Sequence, residues 1–224
     1  MKIRRSLAVA TAAAALFGTI AAGAIPAEAT TNSRVVAASD TLTTQSLATV
    51  VTPFAQSWNH NWHDYNIASH AIFAVLKAKP SSAVAVLADG TQALTAFIPN
   101  DKAFQILVTK LTGKKPATES ATYKAVLKLG VPTVEAVLLY HVVPGATITS
   151  AQALKANGAQ LTTAQGGKIR VKVTSAPSIE LVDLDKYLTN PKVVLSRVDI
   201  NKGNKQIAHG IDRVLLPLPL KPKA

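Results

Sequence analysis

Apolar positions recur along this chain first at helical spacing and later at strand spacing. Leu47, Val50, Val51, Phe54 and Trp58 share one helical face, and Pro53 interrupts the run, which predicts two short helices. Tyr65 to Lys77 carries Ile67, Ile72, Val75 and Leu76 and predicts a helix with Asp64 or Asn66 as its cap. Ala93 to Ile98 predicts a buried strand that Pro99 ends. Asn100 or Asp101 then caps a helix whose Phe104, Leu107, Val108 and Leu111 face one way, and Gly113 is placed to stop it. Lys114 to Ser120 reads as a loop and Tyr123 to Leu129 as a short helix. Pro132 suits the first turn of a further helix, with Val134, Val137 and Leu138 inward, that runs into Tyr140-His141 before a Pro144-Gly145 turn.

The second half changes period. Gln160 to Thr163 and Lys168 to Thr174 flank Gly166-Gly167 and predict a hairpin. Ile179 to Asp183, Val193 to Ile200 and Gln206 to Ile211 are strand candidates, with turn chemistry at Asn201-Lys202-Gly203-Asn204. Helices come first and strands follow, without regular alternation. This predicts an α+β domain rather than a doubly wound sheet. No internal repeat is visible.

The first residues change the picture of where the protein works. Lys2, Arg4 and Arg5 precede an Ala-rich apolar stretch from Leu7 to Ile25; Pro26 breaks it, and Ala27-Glu28-Ala29 has the small-x-small form of a cleavage site. Residues 1–29 are therefore expected to be a signal peptide, and 30–61 a leader with a helical extension. The main domain is expected over 62–217 and an extended, Pro-rich tail over 218–224. A secreted protein without a transmembrane anchor is the expectation. Cysteine is absent, so stability outside the cell would rest on packing rather than disulfides.

The formal net charge is +12, which favours anionic surfaces. Nucleic acid is not the expected partner. The basic residues are dispersed and aromatics make up only 5% of the chain, so no basic run is interleaved with stacking rings. An acidic polysaccharide, a cell-wall polymer or a lipid surface fits the charge better.

Three separated stretches carry a family resemblance. They are Thr95-Ala96-Phe97-Ile98-Pro99-Asn100-Asp101-Lys102-Ala103-Phe104, Leu139-Tyr140-His141-Val142-Val143-Pro144-Gly145 and His209-Gly210-Ile211-Asp212-Arg213-Val214-Leu215. In this order and spacing they resemble the fasciclin domain, over about residues 62–217. Ile98 stands where the family has a small residue, and Lys205-Gln206 where it usually has Asn-Gly. The resemblance implies a β-wedge or sandwich with several packed α-helices. It also implies a non-enzymatic adhesion or surface-binding module, partnered by a cell-surface or extracellular-matrix component. In such domains the Tyr-His pair is linked to adhesion, which by resemblance falls on Tyr140 and His141; a buried ring and a satisfied core histidine are the plain structural alternative.

Other chemistry finds little support in the sequence. No Gly-x-Ser-x-Gly turn exposes a nucleophile, and no phosphate or dinucleotide loop is present. His141, His209 and Asp212 lack an evident serine partner. His60, His63 and Asp64 would share a face if they lay on a helix. Surrounded by Asn59, Asn61 and Trp62, they read instead as a solvated polar loop. No cofactor and no metal site is expected. An extracellular carrier of a small apolar or metal-bearing ligand is the second reading, and an uncharacterised hydrolase the third. One strand gives a sharper candidate. Lys168, Arg170 and Lys172 alternate with Ile169, Val171 and Val173, so one face is core and the other a row of cations. That row, joined by Lys192 and Arg197, is a candidate contact for an anionic glycan or wall polymer; an ordinary solvated face is the plain alternative.

Overall fold

The computed structural model describes residues 41–175 and 178–223. The expected signal peptide and the first part of the leader lie outside the described residues. Helices fill the first part: α1 (Leu47–Val51), α2 (Asn66–Ala78), α3 (Asp101–Thr112), α4 (Glu119–Leu127) and α5 (Val131–Tyr140). A single-turn α6 (Ser150–Ala153) follows, closed by a capping box between Thr149 and Gln152. Short 3-10 turns occupy Thr52–Ala55, Ala83–Ala88 and Leu195–Arg197. Pro53 opens the first of these, which is why the Leu47 run splits. Among the described residues no helix is long and apolar enough to cross a membrane.

The strands are β1 (Leu94–Pro99), β2 (Val142–Pro144), β3 (Gln160–Thr162), β4 (Lys168–Thr174), β5 (Ser178–Val182) and β6 (Gln206–Ile211). They form two three-stranded sheets, ordered β2-β1-β6 and β3-β4-β5. In the first, β1 pairs antiparallel with β2 and parallel with β6, Phe97 opposite His209. Leu94, Ala96 and Ile98 of β1 belong to the core shared with α1–α5, while Phe97 belongs to a second core shared with β4 and β5. Both faces of β1 and β6 are thus covered, and every residue of both strands is buried. This explains why neither strand carries a lysine, arginine or acidic residue. The second sheet is covered on one face only, and β4 alternates exposed and buried residues. The wedge between the sheets is stapled by residues 192–193: Lys192 bridges to Glu180 of β5 and Val193 to Ile211 of β6.

Three expectations are corrected. Val193 to Ile200 is not a strand. It touches β6 at Val193 and Ile200, but between them the chain leaves the ladder through Leu195–Arg197 and a left-handed Asp199, φ 55°. That excursion brings the Asp199 carboxylate to α6, where it accepts from the Ser150 amide at 2.7 Å and the Ser150 hydroxyl at 2.8 Å. Neither Asp64 nor Asn66 caps α2. Asp101 does so from α3, accepting from the Asn66 amide at 3.2 Å and the Ile67 amide at 2.8 Å, while Asn100 caps α3 itself. Helix α4 begins at Glu119, inside the expected loop, because the Thr118 hydroxyl accepts from the Ala121 amide at 3.1 Å.

The Lys205-Gln206 departure has a structural use. Gln206 is fully buried; its Oε1 accepts from the Leu47 amide at 2.8 Å, and its Nε2 donates to the Val86 and Asp89 carbonyls. It ties α1 and the turn before β1 to β6, an outer strand of the first sheet. The turn preceding it is made by Asn201 and Gly203, both at positive φ.

Candidate functional site

The outer face of the second sheet gathers the cationic row. Ile169 and Val171 point into the core at 0% and 3% exposure, so Lys168, Arg170 and Lys172 stand outward and are exposed. Opposite residues on antiparallel strands share a face, which places Gln160 beside Arg170, Thr162 beside Lys168 and Glu180 beside Lys172. Lys192, bridged to Glu180, joins the same face. Glu180 accepts from Asn190 at 3.0 Å and pairs with Lys172 at 3.5 Å. Among the described residues, neither Lys168 nor Arg170 has an ion pair. Arg197 does not join the row; it sits in the 3-10 turn against Gly210 of β6.

Tyr140 and His141 lie inside, at 0% and 5% exposure. The Tyr140 hydroxyl donates to the Lys168 carbonyl at 2.8 Å. Its ring passes so close to Gly167 that a Cβ there would stand 2.7 Å from a ring carbon. The Tyr140-His141 motif therefore fixes the point where the cationic strand begins. Burial, reinforced by the nearby Asp183 carboxylate, pushes the phenol up to about 12. His141 faces the Val137 carbonyl through Nδ1 at 2.7 Å, while its Nε2 accepts from the Leu215 amide at 3.0 Å. It joins α5 to the segment after β6. Burial holds its pKa down at about 4, so it is neutral, with its proton on Nδ1.

His209 mirrors this arrangement. Its Nε2 faces the Ile148 carbonyl at 2.8 Å and its Nδ1 accepts from the Asp199 amide at 3.3 Å. Burial lowers its pKa, with the Ile148 bond and the Asp199 charge opposing. Ser150 reaches Asp199, not the imidazole. Every ring nitrogen of His141 and His209 is committed to a backbone partner, which leaves neither free to relay a proton from a nucleophile. Asp212 accepts from the Lys192 amide at 2.7 Å and so holds the staple between the sheets.

Residues 57–65 are not helical, and His60 is at φ 62°. The helical spacing that would align His60 with His63 and Asp64 is absent. Asp64 is instead buried, with Asp101 and Glu119; ligand oxygens of these three lie within 4.8 Å of one another, and they are the one such trio among the described residues. They stand at the beginnings of α2, α3 and α4, where helix dipoles favour negative charge. Burial, reinforced by the neighbouring Asp64 and Glu119 carboxylates, pushes Asp101 up to about 9. No sequence spacing pointed to this convergence, because its members are brought together only by helix packing.

An apolar cavity of about 90 Å³ lies in the larger core, lined by residues such as Ile72, Leu107, Val134 and His141. Ligand pockets commonly measure about 300–1,000 Å³, so this space is a packing void on the scale of a few heavy atoms.

A helical layer on one face of a fully buried sheet, and a half-exposed basic sheet on the other, define an α+β wedge built to present a surface. The chain matches the Fasciclin domain family over residues 68–217 and belongs to that family. A solved FAS1 domain pair from the insect cell adhesion molecule Fasciclin I is similar, with 17% sequence identity and a TM-score of 0.47. The likeness covers 66% of this chain and 46% of that one, so it spans about half of the pair. No curated protein sequence matches the chain.

Proposed function

We propose that this protein is an adhesion or surface-binding module working outside the cell, and that it grips an anionic glycan or cell-wall polymer with the outer face of β3-β4-β5. Fasciclin domains are typically adhesion modules, which sets the general role. The observation that carries the finer reading is the row Lys168, Arg170 and Lys172, exposed on one regular strand over a rigid apolar underside. Adjacent members of the row are two residues apart, about 7 Å along a strand, a spacing that an extended polyanion can follow. Lys172 alone of the three has a carboxylate partner among the described residues, and such exposed pairs are weak enough to yield to a ligand.

Tyr140 and His141 enter this reading as positioning residues. Tyr140 holds the Lys168 backbone and His141 holds the end of α5 against Leu215. Their link to binding would then pass through the shape of the sheet rather than through contact. Secretion rests on the basic, apolar and small-x-small sequence of residues 2–29.

The test is affinity for a defined acidic polysaccharide such as heparin, compared between the wild type and the triple variant Lys168→Glu, Arg170→Glu, Lys172→Glu. All three sites are exposed, so circular dichroism should show an unchanged fold. The expected result is binding weakened roughly tenfold or more, about 1.4 kcal/mol, with a shallower dependence on salt. Equal affinity of the two proteins rejects the reading.

A further inference from the structure

We propose that Asp64, Asp101, Glu119 and Asn66 form a calcium site that locks together the starts of α2, α3 and α4. Helix dipoles explain why carboxylates gather at these helix ends. They do not explain which oxygens are left over. The Asp101 oxygens are occupied by the Asn66 and Ile67 amides; Asp64 Oδ2 is held by Asn59 at 2.5 Å, and Glu119 Oε2 by the His60 amide at 3.2 Å. Asp64 Oδ1 and Glu119 Oε1 remain buried without a hydrogen-bond partner. Among the described residues no lysine or arginine pairs with any of the three carboxylates.

A fourth group points to a ligand independently. Asn66 is 1% exposed and its side-chain oxygen has no partner. Its amide group faces the trio, with Nδ2 3.4 Å from Glu119 Oε2. Amide nitrogen and oxygen exchange places by a half-turn, and that turn presents the orphaned oxygen to the same space. Ser69, one turn further along this face of α2, is also fully buried with an unpartnered hydroxyl. A row of orphaned oxygens beside uncompensated carboxylates is costly in a dry interior unless a cation collects them.

The chemistry selects the ion. All donors are oxygen, which suits a hard cation. Oxygens bound to one calcium at about 2.4 Å lie about 3.4 Å apart when adjacent and no more than about 4.8 Å apart when opposite. The ligand oxygens of the three carboxylates all lie within 4.8 Å of one another, inside the upper limit. Magnesium demands a tighter octahedron and keeps several waters, whereas calcium takes six to eight oxygens in flexible geometry, which suits a cluster of buried side-chain oxygens better.

Thermal unfolding of the full chain tests this, after EDTA treatment and then with calcium chloride up to about 10 mM, well above the weak end of natural calcium sites near 1 mM. The melting temperature is expected to rise by roughly 5–10 °C once calcium reaches about a hundred times its dissociation constant. Calorimetric titration should give one site per chain. Glu119→Gln should lose most of the rise. The wild-type measurement needs no variant, so a poorly folding mutant does not blunt it. No rise for the wild type, an equal rise with magnesium at matched ionic strength, or a Glu119→Gln response as large as the wild type's each overturns the assignment. In those cases the trio is held by a shared proton instead.

Discussion

Lowering the pH should undo His141 in a calculable way. Nδ1 must donate to Val137 and Nε2 must accept from Leu215, so a second proton would aim one N–H at another inside an apolar core. The ordinary histidine value is 6.5 and burial holds this one at about 4. As pH falls through that window the unfolded chain takes up the proton and the folded chain does not. His141 therefore contributes stability that is fully present above about 6.5 and drains away towards about 4. At 1.36 kcal/mol per pH unit the loss approaches roughly 3 kcal/mol. Asp101 and Asp183 act in the opposite sense. Burial raises them to about 9 and about 6, so their contribution is present at low pH and is lost as pH rises through those values. A bare pH profile mixes the two. His141→Leu separates them. Near neutral pH it strands the Leu215 amide and should cost roughly 2–4 kcal/mol. Urea unfolding of both proteins in steps from neutral to about pH 4 should show that gap shrinking by roughly 3 kcal/mol. A gap that stays constant refutes the assigned tautomer and its burial.

The remaining predictions concern the wedge and its surface. Tyr140→Phe should keep the fold but lose about 1 kcal/mol with the Lys168 bond, and amide exchange should quicken in β4 while β1 is unaffected. Gly210→Ala should destabilise by about 1–3 kcal/mol, because its Cβ would stand 2.3 Å from the Tyr65 hydroxyl and 3.0 Å from Arg197; a melting temperature equal to the wild type's would contradict that packing. The charge-reversal triple variant should bind heparin less well, and calcium should raise the wild-type melting temperature.

Much of the fold could be read before any coordinates. The apolar run at 94–99, the alternation from Lys168 to Thr174 and the Gly113 stop each state their element through a local rule. The Val193 to Ile200 stretch misled because its composition is strand-like; what removes it from the sheet is the need to deliver Asp199 to α6, a demand made from far along the chain. The cap of α2 was illegible for the same reason, since Asp101 arrives from another helix. The cationic row was legible because strand geometry alone separates its two faces. The inward position of Tyr140 and His141 was open in sequence, and it was decided by the two segments that close over them, Gly167-Lys168 and Leu215.

The parallel pairing of β1 with β6 also sets an order of events during synthesis. Leu94–Pro99 leaves the ribosome well before one of its two partner strands, Gln206–Ile211, has been made. Until then this strand has an open edge, the kind of edge that recruits other chains. Contacts so distant in sequence form slowly. The helices and β2 can gather around β1 beforehand, but the sheet stays unfinished until Gln206, the partner of Leu94 in this register, and the rest of β6 have been made.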